Sequence, residues 1–454
     1  MEFGPQRLFR FTASIIAVLC MSASLQAGIS GLNNRAVGGV LIDAEGIVRN
    51  ATIAEQQELS NAARAALRQA EGEMNQATEM RMISLAKLQK HLQATREAGE
   101  PISSDVEFLA GLQRIEYVFV DPDNNDIVIA GPAEPWEMLD DGSVVGTKSG
   151  KSTMRLADLI VAFRTVETAR RGGISCSIEP TAEGRQRLQN VLRNVKLRPG
   201  QNPAIYESAM KQAFGPQMIH LTGVPQDSRY ARILVAADFE MKRVAMELAP
   251  SNVNGLPSYL QMSKNSRHSA AQNPRWWMAC NYDAMTKSED ALAWKLSGQG
   301  VKTLTDQDLV AADGDVKAAG RVDKIAQTWA ETMTQKYPEL AKQIHVFGDL
   351  QNIMDMTIAA TLISQERLDQ KAGIDLSLLK QENEAVELTS YAIPKALNPQ
   401  CSFVRGRSGW VVTASGGVDI DAFSVVEKQT VDAAVATKRT ESLASANDRW
   451  WWNR

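Results

Sequence analysis

The chain has 454 residues, a formal charge of −4, 44% hydrophobic and 22% charged residues. That is the balance of an ordinary globular protein with ample chain for a core, and the length corresponds to two or three domains. The slightly acidic balance argues against nucleic acid as the main partner, which needs a basic stripe to neutralise phosphates, and the composition excludes collagen-like, purely coiled-coil and wholly disordered classes.

Met1 to Ala27 has the layout of a secretory signal. Arg7 and Arg10 open it, the run from Phe11 to Met21 is apolar apart from Thr12 and Ser14, and small residues follow up to Ala27. The run is short for a membrane span, which takes ~20 apolar residues. Leu19 is too large for the position before a lipidated Cys20, so a lipid anchor is not expected. Beyond the signal, Val37 to Asp43 and Gly46 to Val48 read as two short strands around a tight turn.

Ala54 to Ala98 is rich in good helix formers, with Met82, Leu85, Leu88 and Leu92 at helical steps and a break near Gly72. This predicts amphipathic helices packed on the body rather than a coiled coil. Ile115 to Val120 and Ile127 to Ala130 read as strands around an Asp- and Asn-rich turn, and a short strand is expected near Val144. A helix over Leu156 to Ala169, a strand over Ile174 to Ile178, a helix capped by Thr181 and a helix from Pro203 to Phe214 follow. Met218 to Leu221 reads as a strand, and Ile233 to Ala237 has strand composition before a helical stretch from Asp238.

Further on, Trp276 to Tyr282 and Trp294 to Leu304 read as strands, and Asp313 to Gln335 and Val346 to Gln370 as helices. The second helix is apolar on most faces and therefore central, while Asp349, Asn352 and Asp355 exclude a membrane span there. Cys401 to Val404, Trp410 to Ala414 and Val418 to Val426 read as strands. The polar tail after Val431 ends in Trp450-Trp451-Trp452, which either seats in an interface or packs back on the body.

The expected fold class is mixed α and β, α+β or α/β, in two or three closely packed units after the signal. The expected divisions are 1–27, 28–100, 101–250, 251–430 and 431–454. No internal repeat stands out.

Common chemistries are missing their motifs. Gly146 to Ser152 mimics a phosphate loop, but only three residues separate its glycines and Val145 stands where the first should be, so a plain turn is expected. Asp121, Asp123 and Asn125 mimic a calcium loop that then lacks its glycine and its terminal acid, so an Asx-type turn is expected. His91, His220, His268 and His345 have no ligand spacing, and no Gly-x-Ser-x-Gly elbow occurs. No metal or cofactor is expected. Cys176, Cys280 and Cys401 are expected as free thiols, with one disulfide as the alternative. Glu134, Glu137, Asp140 and Asp141 around Trp136 are the nearest approach to a carbohydrate-binding surface.

Two aromatic-basic segments, Arg275-Trp276-Trp277 and Arg405-Gly406-Arg407 to Trp410, combine the residue types that dominate interface hot spots. The candidate interaction surface is therefore Arg275, Trp276, Trp277, Arg405, Arg407 and Trp410. No catalytic residue is assigned.

Several stretches taken together resemble a known family. They are Asp121 to Trp136 (DPDNNDIVIAGPAEPW), Gly172 to Thr181, Arg275-Trp276-Trp277, Gly298 to Lys302, and Gly409 to Val418. Their order, from about Gly38 to Val426, is similar to that of exported planctomycete proteins carrying a domain of unknown function. The resemblance implies an extracytoplasmic bacterial setting and carries no activity, cofactor or catalytic residue.

The leading expectation is an exported, non-enzymatic envelope or secreted protein that binds an envelope or extracellular protein partner. The rivals are an extracytoplasmic hydrolase acting on carbohydrate or peptide, with a site near Asp121 to Asp141 or Arg275 to Asp283, and a small-ligand binding protein with an interdomain site.

Overall fold

The protein is described from a computed structural model over residues 36–43, 45–196, 201–263, 274–310, 316–318, 323–382, 386–406, 409–411 and 414–454. The expected signal segment lies outside the described residues.

The first half contains β1 (Val40–Ile42), β2 (Ile47–Asn50), α1 (Ile53–Ala66), β3 (Thr78–Ser84), α2 (Leu85–Glu97), β4 (Tyr117–Asp121), β5 (Asp126–Ala133), β6 (Trp136–Met138) and β7 (Val144–Gly146). It continues with α3 (Leu156–Gly172), β8 (Ile174–Pro180), α4 (Ala182–Asn194), α5 (Glu207–Phe214), β9 (Gln217–Thr222) and α6 (Arg229–Ala245). The second half contains β10 (Pro274–Asn281), β11 (Met285–Lys287), β12 (Ala293–Lys295), β13 (Gly300–Val310), β14 (Val316–Ala318), α7 (Lys324–Gln343) and α8 (His345–Gln365). It ends with β15 (Ala396–Leu397), β16 (Val404–Gly406), β17 (Gly409–Val411), β18 (Ser415–Ile420), α9 (Ala422–Glu427), β19 (Gln429–Val431), α10 (Ala433–Leu443) and β20 (Trp451–Asn453). The fold is mixed α and β.

Two sheets dominate. A nine-stranded sheet runs β1-β2-β15-β9-β8-β18-β10-β13-β14, and a seven-stranded sheet runs β19-β11-β12-β4-β5-β3-β20. Both are mixed: β18 lies parallel to β10 and β19 parallel to β11, while most other neighbours are antiparallel. The segments 28–100, 101–250 and 251–430 each supply strands to both sheets. The stretch Trp294 to Leu304, which reads as one strand, breaks into β12 and β13, one in each sheet.

Alternation sets the faces of the larger sheet. Ile174, Cys176 and Ile178 are buried while Ser175, Ser177 and Glu179 are half-buried, and β10 alternates likewise. The inner face receives α6 on β8 and β18, and α7 and α8 on β13. Helix α8 also touches α3, α6 and α9, so it is central, as its apolar surface predicts. Its three polar exceptions are buried and used. Asp349 meets Arg229, Asn352 donates to the Ser152 carbonyl at 3.0 Å, and Asp355 accepts two hydrogen bonds from Arg114 at 2.6 and 3.0 Å.

Four readings are corrected. Thr78 to Ser84 is strand β3, not helix, and Met82 lies on it; pairing with β5 on one side and β20 on the other outweighs the helix-favouring composition. Ile233 to Ala237 is inside helix α6, capped by Ser228, which accepts from the Ala231 amide at 3.1 Å. Strand β18 stops at Ile420, because Asp421 accepts from the Ser424 amide at 3.0 Å and starts α9. The helix expected from Asp313 starts only at Lys324, with Asp323 as its cap.

The tail packs back on the body. Trp450, Trp451 and Trp452 are buried, β20 pairs with β3, and the Trp452 indole donates to the Ser442 carbonyl at 3.2 Å. No helix among the described residues is long and apolar enough to cross a membrane.

Candidate functional site

The residues of the aromatic-basic candidate surface lie in different places. Trp276 is fully buried: its indole donates to the Ala326 carbonyl at 3.1 Å, and its ring packs at 4.5 Å from Trp329 and 5.1 Å from Tyr259. It leaves the candidate surface, because strand alternation points it at the helices. Arg275 and Trp277 lie on the opposite face, the guanidinium 4.8 Å over the Trp277 ring and 2.9 Å from Glu179. Arg405 and Trp410 are backbone register partners in the β16–β17 hairpin. Arg407 lies outside the described residues.

The motif look-alikes are occupied from within. In the loop that mimics a phosphate cradle, the amides of Lys148 and Ser149 donate to the Glu134 carboxylate at 3.0 and 2.9 Å. In the loop that mimics a calcium site, Asp121 accepts from the Asn124 amide and side chain, and Asp126 accepts from the Ser84 hydroxyl and the Ala86 amide. Trp136 is buried with its indole bonded to the Arg68 carbonyl at 3.2 Å, so the acidic residues beside it have no aromatic platform. No cluster of metal-ligating side chains occurs among the described residues. Cys176, Cys280 and Cys401 are free thiols.

A charged groove lies elsewhere, along α3. The residues Arg155, Asp158, Val161, Arg164 and Thr168 line it in turn, and their mostly three-residue steps wind round the helix, so that Arg164 lies half a turn away from Arg155. Three adjoining spaces follow that line of residues, of about 140, 260 and 1070 Å³. The first two share Arg155, Arg229, Glu107 and Tyr391; the last two share Val161, Ser228 and Val386 to Thr389. The opposite wall is the irregular segment Val386 to Tyr391. Thirteen residues of helix give the groove a length of ~20 Å at 1.5 Å per residue.

Two guanidinium groups sit at its inner end. Arg155 precedes α3 and Arg229 is the first residue of α6; their side chains are 13% and 11% exposed. Arg229 bonds Asp158 through Nη1 and Asp349 through Nη2, the latter at 2.6 Å. Burial works against its charge, but the two carboxylates more than offset this and hold Arg229 above its usual range. Arg155 donates to Glu107 at 3.2 Å and stands 5.1 Å over the Phe108 ring. Burial, together with the like charge of Arg229, lowers its affinity for the proton.

Asp158 is the distinctive group. Burial raises its pKa against the pull of Arg229, and its Oδ1 is buried with no hydrogen-bond partner. Buried polar atoms are nearly always paired, so this oxygen, unpartnered among the described residues, can accept from a water or a ligand. Asp158 and Asp349 are both tied to Arg229 through Oδ2, so the arrangement is one of fixed donors and acceptors rather than of two facing carboxylates.

Neither Arg155 nor Arg229 stands in a motif, and residues so far apart in sequence signal nothing alone. The available signal was Asp349 inside an otherwise apolar helix, since a buried carboxylate demands a partner.

The comparisons cover only part of the chain. Residues 176–259 match a family described as protein of unknown function (DUF1598). The matched stretch takes in the last residues of the Gly172 to Thr181 motif and also Arg229, but not α3. No curated protein and no solved structure matches the chain.

Proposed function

We propose that the protein is an exported, non-enzymatic binding protein that holds a polar ligand in the groove along α3. The observation that carries this reading is the pair Arg155 and Arg229, both nearly nine-tenths buried yet lining the same space. Burying charge is costly unless it is paired, and here the carboxylates of Glu107, Asp158 and Asp349 supply the pairing. The result is a preorganised set of donors and acceptors with the Phe108 and Tyr391 rings beside it, the mixture expected of a polar ligand site. The export expectation rests on the signal-like segment Met1 to Ala27 and on the family resemblance.

The rival reading, an extracytoplasmic hydrolase, draws on the raised pKa of Asp158, which suits a general acid. Its Oδ2 is bound to Arg229, and the other carboxylates nearby are spent on guanidinium groups, which favours binding over proton transfer.

Calorimetric titration of the mature protein with single amino acids, monosaccharides and disaccharides, and dipeptides tests the proposal. We expect one of these classes to bind, with affinity reduced at least tenfold in Arg155→Gln, and to be recovered intact. Cleaved products would turn the account to the hydrolase, and no binding by any class would overturn it.

A further inference from the structure

At its wide end the groove changes character. Arg164 of α3 lines this end, and its Nε and Nη2 are buried without hydrogen-bond partners among the described residues. Of the other charges along this stretch, Lys380 is bound by Asp369 and Asp227 accepts from the Ser390 hydroxyl at 2.7 Å, while Arg96 adds a further cation and Glu387 an exposed carboxylate. Glu382 attracts Arg164 electrostatically without bonding it, and desolvation lowers the pKa of the guanidinium. A half-buried guanidinium whose Nε and Nη2 have no partner among the described residues is matched best by a carboxylate, which takes two parallel hydrogen bonds from it.

Across the groove, Glu387, Leu388 and Thr389 belong to no helix or strand, and their backbone groups enter no hydrogen bond with another described backbone. Glu387 and Thr389 are exposed and Leu388 is half-buried. Backbone that pairs with no other described backbone and lies along a groove can take up an extended chain much as a sheet edge does. A groove of ~20 Å accommodates about six extended residues at ~3.3 Å each.

We infer that the groove takes an extended acidic peptide, a segment of another polypeptide that pairs by its backbone with Glu387 to Thr389 and places a carboxylate on Arg164. This rests on the binding reading above and gives it a partner class. A sugar chain would satisfy neither observation as well, since it offers no alternating amide ladder and, when neutral, no carboxylate for Arg164.

The test uses the full mature chain and a fluorescein-labelled, end-capped hexapeptide of alternating threonine and valine with one central glutamate. Two companion peptides replace the glutamate by glutamine or methylate the amide nitrogens on one edge. Anisotropy titration is expected to show the acidic peptide binding about tenfold more tightly than the glutamine one, with the methylated one not binding. Arg164→Gln should erase the preference between the first two, its urea midpoint confirming that it is folded. Amide exchange at Glu387 to Thr389 should slow when the acidic peptide is present. Binding without either dependence, or no binding, overturns the inference. If single amino acids or sugars still bind in an Arg155-dependent manner, the binding proposal survives that failure; if they do not, both fall together.

Discussion

Arg229 holds two buried carboxylates from different helices, Asp158 of α3 and Asp349 of α8, and so joins the elements that frame the groove. Removing the cation strands both. Arg229→Leu should lower the unfolding free energy by about 3–5 kcal/mol, the cost of leaving a buried charge uncompensated, as read from urea denaturation. Asp238 makes a second buried ion pair, with Lys242, whose ammonium also donates to the Ile178 and Gly416 carbonyls. Desolvation pushes the Asp238 pKa from 3.8 to about 7 against the pull of Lys242. In the unfolded chain this acid loses its proton near 3.8, whereas the folded protein keeps it up to about 7. Its contribution is therefore fully present below the lower value and is lost as the pH rises through the upper one. Urea midpoints of the wild type measured against Asp238→Asn should show the wild type losing ground between pH 4 and pH 7; a pH-independent difference would contradict the assignment. The thiols follow the same physics: burial pushes Cys280 and Cys401 up to about 12, so none of the three cysteines should react with a disulfide reagent at pH 8 until the protein is unfolded.

Among the elements, the C-terminal strand shows how packing decides between readings that composition leaves open. A polar tail ending in three tryptophans suits an interface or a docked strand equally well. The unpaired edge of β3 settles it, because β20 supplies the missing ladder, the Trp452 indole packs in one cluster with Met80 and Met82, and Trp450 and Trp451 join the main core. Trp452→Ala should cost about 3–5 kcal/mol by thermal or urea denaturation, as expected for truncating a buried aromatic side chain. Gly416 marks a second constraint, where β18 meets β10. Its φ is +114° and an added Cβ would stand 1.8 Å from the Trp276 carbonyl oxygen. The same local-versus-tertiary contest explains what was legible. Strands β4, β5, β8 and β10, helices α3 and α4 and the central α8 follow from alternation, caps and apolar periodicity. Strand β3 and the strand-like part of α6 do not, because their neighbours come from distant segments and override propensity. The groove was illegible for a related reason: Arg155, Asp158, Arg229 and Asp349 form a site only once three helices bring their N-terminal parts together.

At the scale of the whole molecule, both sheets draw strands from the beginning, middle and end of the described chain. Helices α3, α6 and α8 pack on one another, and the groove opens between α3 and the segment that leads from α8 to β15. The open face of the nine-stranded sheet, with Arg275, Trp277 and the exposed Leu304, is the competing location for an interaction surface. Amide hydrogen exchange separates the two. The protein is compared alone and saturated with whichever amino acid, sugar or peptide probe binds it. The account predicts slowed exchange confined to Val386–Tyr391 and the start of α3, with Arg275–Ala279 unchanged. Protection on the sheet face with none along the groove would contradict it.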